Sequence, residues 1–133
     1  MNTPDANPLL FQPFTQRGLT AKNRIVVAPM CQYESVDGAP TDWHLIHMGR
    51  LAMGGAGIVF VEETAVEARG RKTYQCAGLW KSDQIPAYRR VTEAIRQFDG
   101  IPAVQLGHSG RKGSCHSAMQ GWTPLTPENT APD

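Results

Sequence analysis

Cys31 and Tyr33 are the residues whose types and spacing most invite chemistry. They follow the apolar run Ile25-Val26-Val27 and Pro29, in the stretch from Asn23 to Tyr33. A thiol is soft and polarisable, and a phenol donates a hydrogen bond, so both are site candidates. The ordinary alternative is packing. A cysteine beside a methionine, here Met30, is commonly buried filler, and a tyrosine after a strand commonly packs. Gln105 is a third candidate, a carboxamide inside the apolar run Pro102 to Leu106. A buried amide without partners costs about 1–3 kcal/mol. It therefore bonds to neighbouring backbone, or it reaches the strand end and reads a ring that carries both donors and acceptors.

Two further pairs carry less. Glu62 and Glu63 are neighbours, and neighbours on a strand point to opposite faces, so they cannot act as a facing acid–base pair. His44 and His47 share similar faces of a helix, but a catalytic zinc needs three protein ligands and no third stands nearby. No metal is expected, and structural hydrogen bonding is the expectation for both histidines. Cys31, Cys76 and Cys115 are odd in number and far apart, which favours neither a disulfide framework nor a zinc site. Arg69 and Arg71 lie in a long loop, 66–80, where they could steer a phosphorylated ligand; a solvated surface role is the expectation. The basic, glycine-rich stretch Gly107 to Gly113 could cradle an anion, but it lacks the Walker A pattern.

The elements that must position these residues read as alternating strands and helices. Continuous apolar runs suit strands buried on both faces of a parallel sheet. The first is expected at about Arg24 to Ala28, ended by Pro29, which cannot donate to a ladder. A helix should follow from Trp43 to Met53, with Thr41 or Asp42 as its N-cap and Gly54-Gly55 as its stop. Leu45, Met48, Leu51 and Ala52 can share one of its faces. The second strand is expected at Gly57 to Val61, ending in Glu62-Glu63-Thr64. The second helix should run from about Gln84 to Asp99, capped by Ser82-Asp83, with Pro86 in the first turn. Its apolar stripe is Ile85, Tyr88, Val91, Ile95 and Phe98. The third strand is Pro102 to Leu106. A hairpin or cap around Gln16-Arg17-Gly18 precedes the first strand. Met1 to Pro8 reads as a disordered lead-in and residues 114–133 as an irregular tail. Crossovers of this length imply right-handed β-α units. Ligands in such folds bind at the carboxyl ends of the strands, where Cys31, Tyr33 and Gln105 fall.

Composition removes several function classes. The 133-residue chain has a formal net charge of +1 and no basic block, which argues against nucleic acid as a partner. No apolar run is long enough to span a membrane. The amino terminus lacks the charged and apolar regions of a signal peptide, so the cytoplasm is the expected location.

Several separated motifs then fall in one order: N-R-I-x-x-x-P-M-C-Q-Y, D-G-x-x-x-D-W-H and Q-L-x-H-x-G-R-K. Together they resemble the Old Yellow Enzyme family of FMN-dependent ene reductases, also described as NADH:flavin oxidoreductases. The Cys-x-Tyr form looks like the branch that includes YqjM and xenobiotic reductase A. The resemblance runs from about Leu10 to about Lys112. It implies an α/β fold, the N-terminal portion of a TIM (β/α)8 barrel with about three β-α units. A complete barrel typically needs roughly 250 residues, so the barrel is incomplete in this chain.

The resemblance also implies FMN as cofactor, NADH or NADPH as reductant, and an enone- or enal-type small molecule as substrate. Ala28, Pro29, Met30 and Cys31 would line one side of the flavin, Cys31 altering its reduction potential. Glu63 would contact the ring through its backbone, although the family often has a small residue there. Gln105 would take the pyrimidine edge. Tyr33 would hydrogen-bond the substrate carbonyl. The family's later His pair, its proton-donor tyrosine, a basic residue at the pyrimidine edge and the phosphate site have no counterpart in these residues. The expectation is therefore an amino-terminal portion of an ene reductase that completes its site with the remainder of the barrel or a second copy. The competing expectation is a non-catalytic fragment or interaction module without turnover. A lyase barrel using a Schiff-base lysine is a third reading, disfavoured because no lysine sits at an expected strand end.

Overall fold

The computed structural model describes residues 7–126 and 128. Most of the lead-in expected at Met1 to Pro8, and the tail beyond Thr126 apart from Glu128, lie outside them. An antiparallel hairpin comes first, β1 (Phe14–Gln16) and β2 (Leu19–Ala21), turning at Arg17-Gly18 as the sequence predicts. Then follow β3 (Val26–Val27), helix α1 (Asp42–Met53), β4 (Ile58–Ala65), helix α2 (Ile85–Arg96) and β5 (Ile101–Gly107). The three later strands form one parallel sheet in the order β3-β4-β5. This is the β-α-β-α-β order expected of a barrel's opening.

The core lies between the two helices and one face of this sheet. Met48 and Ala52 of α1, Val59 and Val61 of β4, and Val91 and Ile95 of α2 are buried together. Ile25, Val27, Leu51 and Tyr88 pack around them. On α2, Val91 and Ile95 are the buried part of the expected stripe, whereas Ile85 and Phe98 are exposed and Phe98 lies beyond the helix.

Three expectations need correction. First, the apolar runs are not buried on both faces: Val26 is 51% exposed and Leu106 is 61% exposed. The helices cover one face only, and among the described residues β3 and β5 are edge strands. Second, β3 is two residues long rather than five. Asn23 takes over at its start, its Oδ1 accepting from Ile25 N (3.1 Å) and its Nδ2 donating to Gly55 O (2.7 Å), and Pro29 follows its end. Third, α2 is not capped by Ser82-Asp83. A 3-10 turn, Ser82–Gln84, leads into it, and the buried Gln84 carboxamide accepts from Trp80 N (2.8 Å) and Lys81 N (3.2 Å) while donating to Asp37 O (2.8 Å). Thr41 is the N-cap of α1, one of the two residues predicted.

A β-bulge between Val61 and Glu63 sets the side chains at the end of β4. Val61 and Glu62 are consecutive and both buried, and Glu63 turns elsewhere. Glu62 and His44 are each 0% exposed, with Glu62 Oε1 2.7 Å from His44 Nε2. His44 Nδ1 accepts from Thr41 N at 3.0 Å, so Nε2 carries the proton and donates to Glu62. The other carboxylate oxygen, Oε2, accepts from Gln32 N at 3.0 Å. His44 thus has the structural role expected of it. His47 does not: its buried Nε2 has no partner among the described residues, and its ring stacks on Trp43.

Glu62 therefore ties α1, β4 and the segment after β3 together. Glu62→Gln keeps the shape but leaves one of the two donors facing an NH2 group. The expected cost is about 1–3 kcal/mol, read as a lower urea midpoint, with faster hydrogen exchange at the Gln32 amide. Arg90→Ala, which breaks the exposed Arg90–Asp42 pair, should shift the midpoint by about 1 kcal/mol or less.

Candidate functional site

The carboxyl ends of β3, β4 and β5 carry the candidate residues. Ala28 and Met30 are exposed, Pro29 and Cys31 half-buried, and together they leave the sheet as an apolar shelf. The next residues are held from several directions. Gln32 Nε2 donates to Met30 O (2.7 Å), and Trp43 Nε1 donates to Gln32 Oε1 (3.1 Å). Tyr33 has a left-handed backbone, φ 58°, a conformation uncommon for a non-glycine residue. Flanking hydrogen bonds hold it there, from Gln32 N to Glu62 and from Ser35 N to Gln75 O (3.0 Å).

Glu63 and Gln105 are register partners on β4 and β5. The Glu63 carboxylate pairs with Lys72 Nζ at 2.9 Å and folds over Gly107, where a Cβ would come within 2.5 Å of it. Gly107 is thus bare because the carboxylate occupies that space. The Gln105 side chain is exposed and accepts or donates no hydrogen bond among the described residues.

The loop 66–80 completes the site. Arg71 ties it internally, donating to Ala68 O (3.0 Å) and Tyr74 O (3.1 Å) and lying over the Trp80 ring. Arg69 pairs with Glu67 at the surface, as expected of a solvated cation. The same loop brings Lys72 and Cys76 into a small cleft with Cys31 and Glu63. The Cys31 and Cys76 thiols are neighbours in this cleft. Each acts first on the other, lowering the Cys76 thiol to about 6 and raising that of Cys31. Burial, and then the neighbouring thiols, push the Tyr33 phenol above its ordinary value. The Glu63 carboxylate pushes the Lys72 ammonium upward. A lysine held protonated is a poor Schiff-base nucleophile, which removes the lyase reading even though a lysine does reach the strand ends.

The sequence reading missed four of these residues. Lys72 and Cys76 arrive through loop folding and carry no spacing signal. Trp122 comes back from the irregular tail and sets its ring edge-on to Tyr33, with centroids 5.5 Å apart at 81°. Glu62 had a signal, being an ionisable residue at the end of an apolar run, but its role depends on a bulge. In the basic stretch after β5, His108 Nε2 lies 2.8 Å from Glu67 and its Nδ1 accepts from Gly110 N. Among the described residues no group of three or more His, Cys, Asp or Glu side chains is placed to hold a metal ion.

The surroundings fit a flat, partly polar ring at the strand ends. The shelf from Ala28 to Met30 offers apolar contact, the Gln105 carboxamide offers one donor and one acceptor, and the Glu63 side chain is turned aside onto Lys72. No helix among the described residues is long and apolar enough to cross a membrane.

Known proteins are similar to this chain in sequence and in fold. The chain is 44% identical over 113 residues to an NADPH dehydrogenase of Bacillus cytotoxicus, an overlap of 84% of this chain and 33% of the relative. It is 45% identical over 108 residues to an NADH:flavin oxidoreductase of Gibberella zeae, covering 81% of this chain and 26% of the relative. The chain therefore spans about a third or less of these curated relatives. Among solved structures, the old yellow enzyme homologue of Zymomonas mobilis superimposes with TM-score 0.74 at 30% identity, over 90% of this chain and 33% of that one. Morphinone reductase in complex with tetrahydroNAD gives 0.73 at 30% identity, over 81% and 29%. The model of the NADH:flavin oxidoreductase / NADH oxidase family matches residues 9–128, and the chain belongs to that family.

Proposed function

We propose that this chain is the amino-terminal part of a cytoplasmic FMN-dependent NAD(P)H oxidoreductase of the ene reductase type, which reduces the activated C=C bond of α,β-unsaturated ketones and aldehydes. The observation that carries the reading is the alignment of three things at adjacent strand ends: the apolar shelf Ala28–Met30, the diverted Glu63 carboxylate and the unpartnered Gln105 carboxamide. Family membership supports the same cofactor.

When bound, FMN supplies the hydride that NADH or NADPH has delivered to it. The chain's own residues bind and orient. Gln105 donates to and accepts from the pyrimidine edge, and Ala28, Pro29 and Met30 support the ring. Glu63 offers only its backbone, since Lys72 holds its carboxylate. Cys31 sits beside the ring as a polarisable thiol and tunes its potential without acting as a nucleophile. Tyr33 donates its phenolic hydrogen to the substrate carbonyl, which draws electron density from the alkene and opens its β-carbon to hydride. Burial favours this role because it keeps the phenol protonated.

One observation favours a second reading, a non-catalytic fragment or interaction module. The chain covers about a third of its relatives, and the remainder of the barrel, or a second copy, is then the partner that completes the wall. A single preparation separates the two. The chain is incubated with FMN and passed through gel filtration, alone and after co-production with the remainder of a family barrel. Yellow colour retained at about one flavin per chain in either form supports the oxidoreductase. Colourless protein in both forms removes it.

In the flavin-retaining form, Gln105→Leu should weaken FMN binding by about 5–30-fold, the equivalent of one or two lost hydrogen bonds, measured by quenching of flavin fluorescence. Tyr33→Phe should slow enone reduction on the order of tenfold or more, with flavin reduction by NAD(P)H unchanged in stopped flow. Because the Tyr33 phenol is held above its ordinary value near 10, its contribution should persist through about pH 9.5, so parent and variant rates should stay separated there.

A further inference from the structure

We propose that Cys31 and Cys76 are a modification site, a dithiol that closes to a reversible disulfide when it meets hydrogen peroxide or a small organic hydroperoxide. This does not rest on the flavin reading. The two cysteines lie 45 positions apart, and the fold brings them together in the lining of one cleft.

Both carriers are fixed at that spot. On one side, Glu62 holds the backbone at Gln32, immediately after Cys31. On the other, Cys76 N bonds to Thr73 O (3.2 Å), and Arg71 ties the loop through Tyr74 O. A direct staple joins the two segments, Ser35 N to Gln75 O at 3.0 Å, next to Cys76 in sequence. The two segments are therefore held side by side, and a bond of about 2.05 Å forms when the two sulfurs of the cleft approach each other.

The surroundings also suit the chemistry. Thr73 Oγ1 lies 3.3 Å from the Cys76 sulfur, and the Lys72 ammonium lines the same cleft, so a thiolate there is stabilised; the Glu62 and Glu63 carboxylates face it too, Glu63 already neutralised by Lys72. The Cys76 thiol, lowered to about 6, is the one present as a nucleophilic thiolate near neutral pH. That thiolate attacks a peroxide oxygen. The O–O bond breaks, hydroxide leaves, and a sulfenic acid forms. The second sulfur attacks the sulfenic sulfur, the S–O bond breaks, and the oxygen leaves as water with the second thiol's proton. Two thiols and one hydrogen peroxide thus become one disulfide and two waters, with two electrons passing from sulfur to oxygen. A dithiol reductant reverses the step.

Cys115 supplies an internal control. Its thiol donates to Lys72 O at 3.2 Å, and no bond to either other cysteine is recorded among the described residues. The test uses the full chain, reduced, desalted and free of flavin, and exposed to one equivalent of hydrogen peroxide. Free thiols counted under denaturing conditions should fall from three to one per chain and return to three with dithiothreitol. Non-reducing tryptic mapping should show the peptide containing Cys31 joined to the one containing Cys76, lighter than their sum by two hydrogens. Cys115→Ser should lose both of its remaining thiols in the same way, and Cys76→Ser should form no intrachain link. Three surviving thiols, a link through Cys115, or links only between chains would overturn the assignment. None of these outcomes bears on whether the chain binds flavin.

Discussion

A single buried carboxylate fixes the end of the sheet where the candidate residues gather. Glu62 is removed from water, and its two oxygens are each given one donor, the His44 imidazole and the Gln32 backbone amide. The arrangement is demanding, because a buried carboxylate with a donor missing is far costlier than an apolar residue of the same size. It also fixes geometry. The ladder of β3 is only two residues long and cannot by itself hold the chain that follows. Glu62 does so one residue beyond Cys31 and one before Tyr33. The left-handed Tyr33, a conformation costing on the order of 1–3 kcal/mol, is tolerable because it is held at Gln32 on one side and at Ser35 on the other.

Electrostatic balance follows from the same bulge. By putting Glu62 and Val61 both inward, it frees Glu63 to meet Lys72 from the long loop. The Glu63 carboxylate is thereby neutralised and laid over Gly107. The loop that brings Lys72 also brings Cys76. One loop, braced by Arg71 against Trp80 and its own carbonyls, therefore sets the charge and the sulfur chemistry of the cleft together.

The order of elements was legible because it depends on local signals: apolar runs, the Thr41 cap, the Gly54-Gly55 stop and the Arg17-Gly18 turn. The motif order from Asn23 to Lys112 made the family legible as well. Burial was less so. An apolar run such as Ile25-Val26-Val27 reports what a strand can bury, and whether both faces are covered depends on neighbours it does not encode. Lys72, Cys76 and Trp122 reach the site by long-range loop closure, for which no spacing rule exists. Gln84 shows the same limit on a smaller scale. It reads as an ordinary residue at a helix start, yet three backbone groups depend on its amide because of how Asp37 and Trp80 are folded against it.

The uncovered face of the sheet follows from the same physics. The helices α1 and α2 bury Val59 and Val61, while Val26 and Leu106 remain open on strands that, among the described residues, each lack a neighbour on one side. Unpaired strand edges with exposed apolar side chains are unfavourable in water and recruit further strands. Closing a parallel sheet into a barrel satisfies both needs at once, since it pairs the edges and fills the interior with the side chains that now face outward. The strand ends would then ring a common mouth, which is where the shelf, Gln105 and the sulfur cleft already lie. Stability and the site thus make the same demand on this sheet: neighbours for β3 and β5.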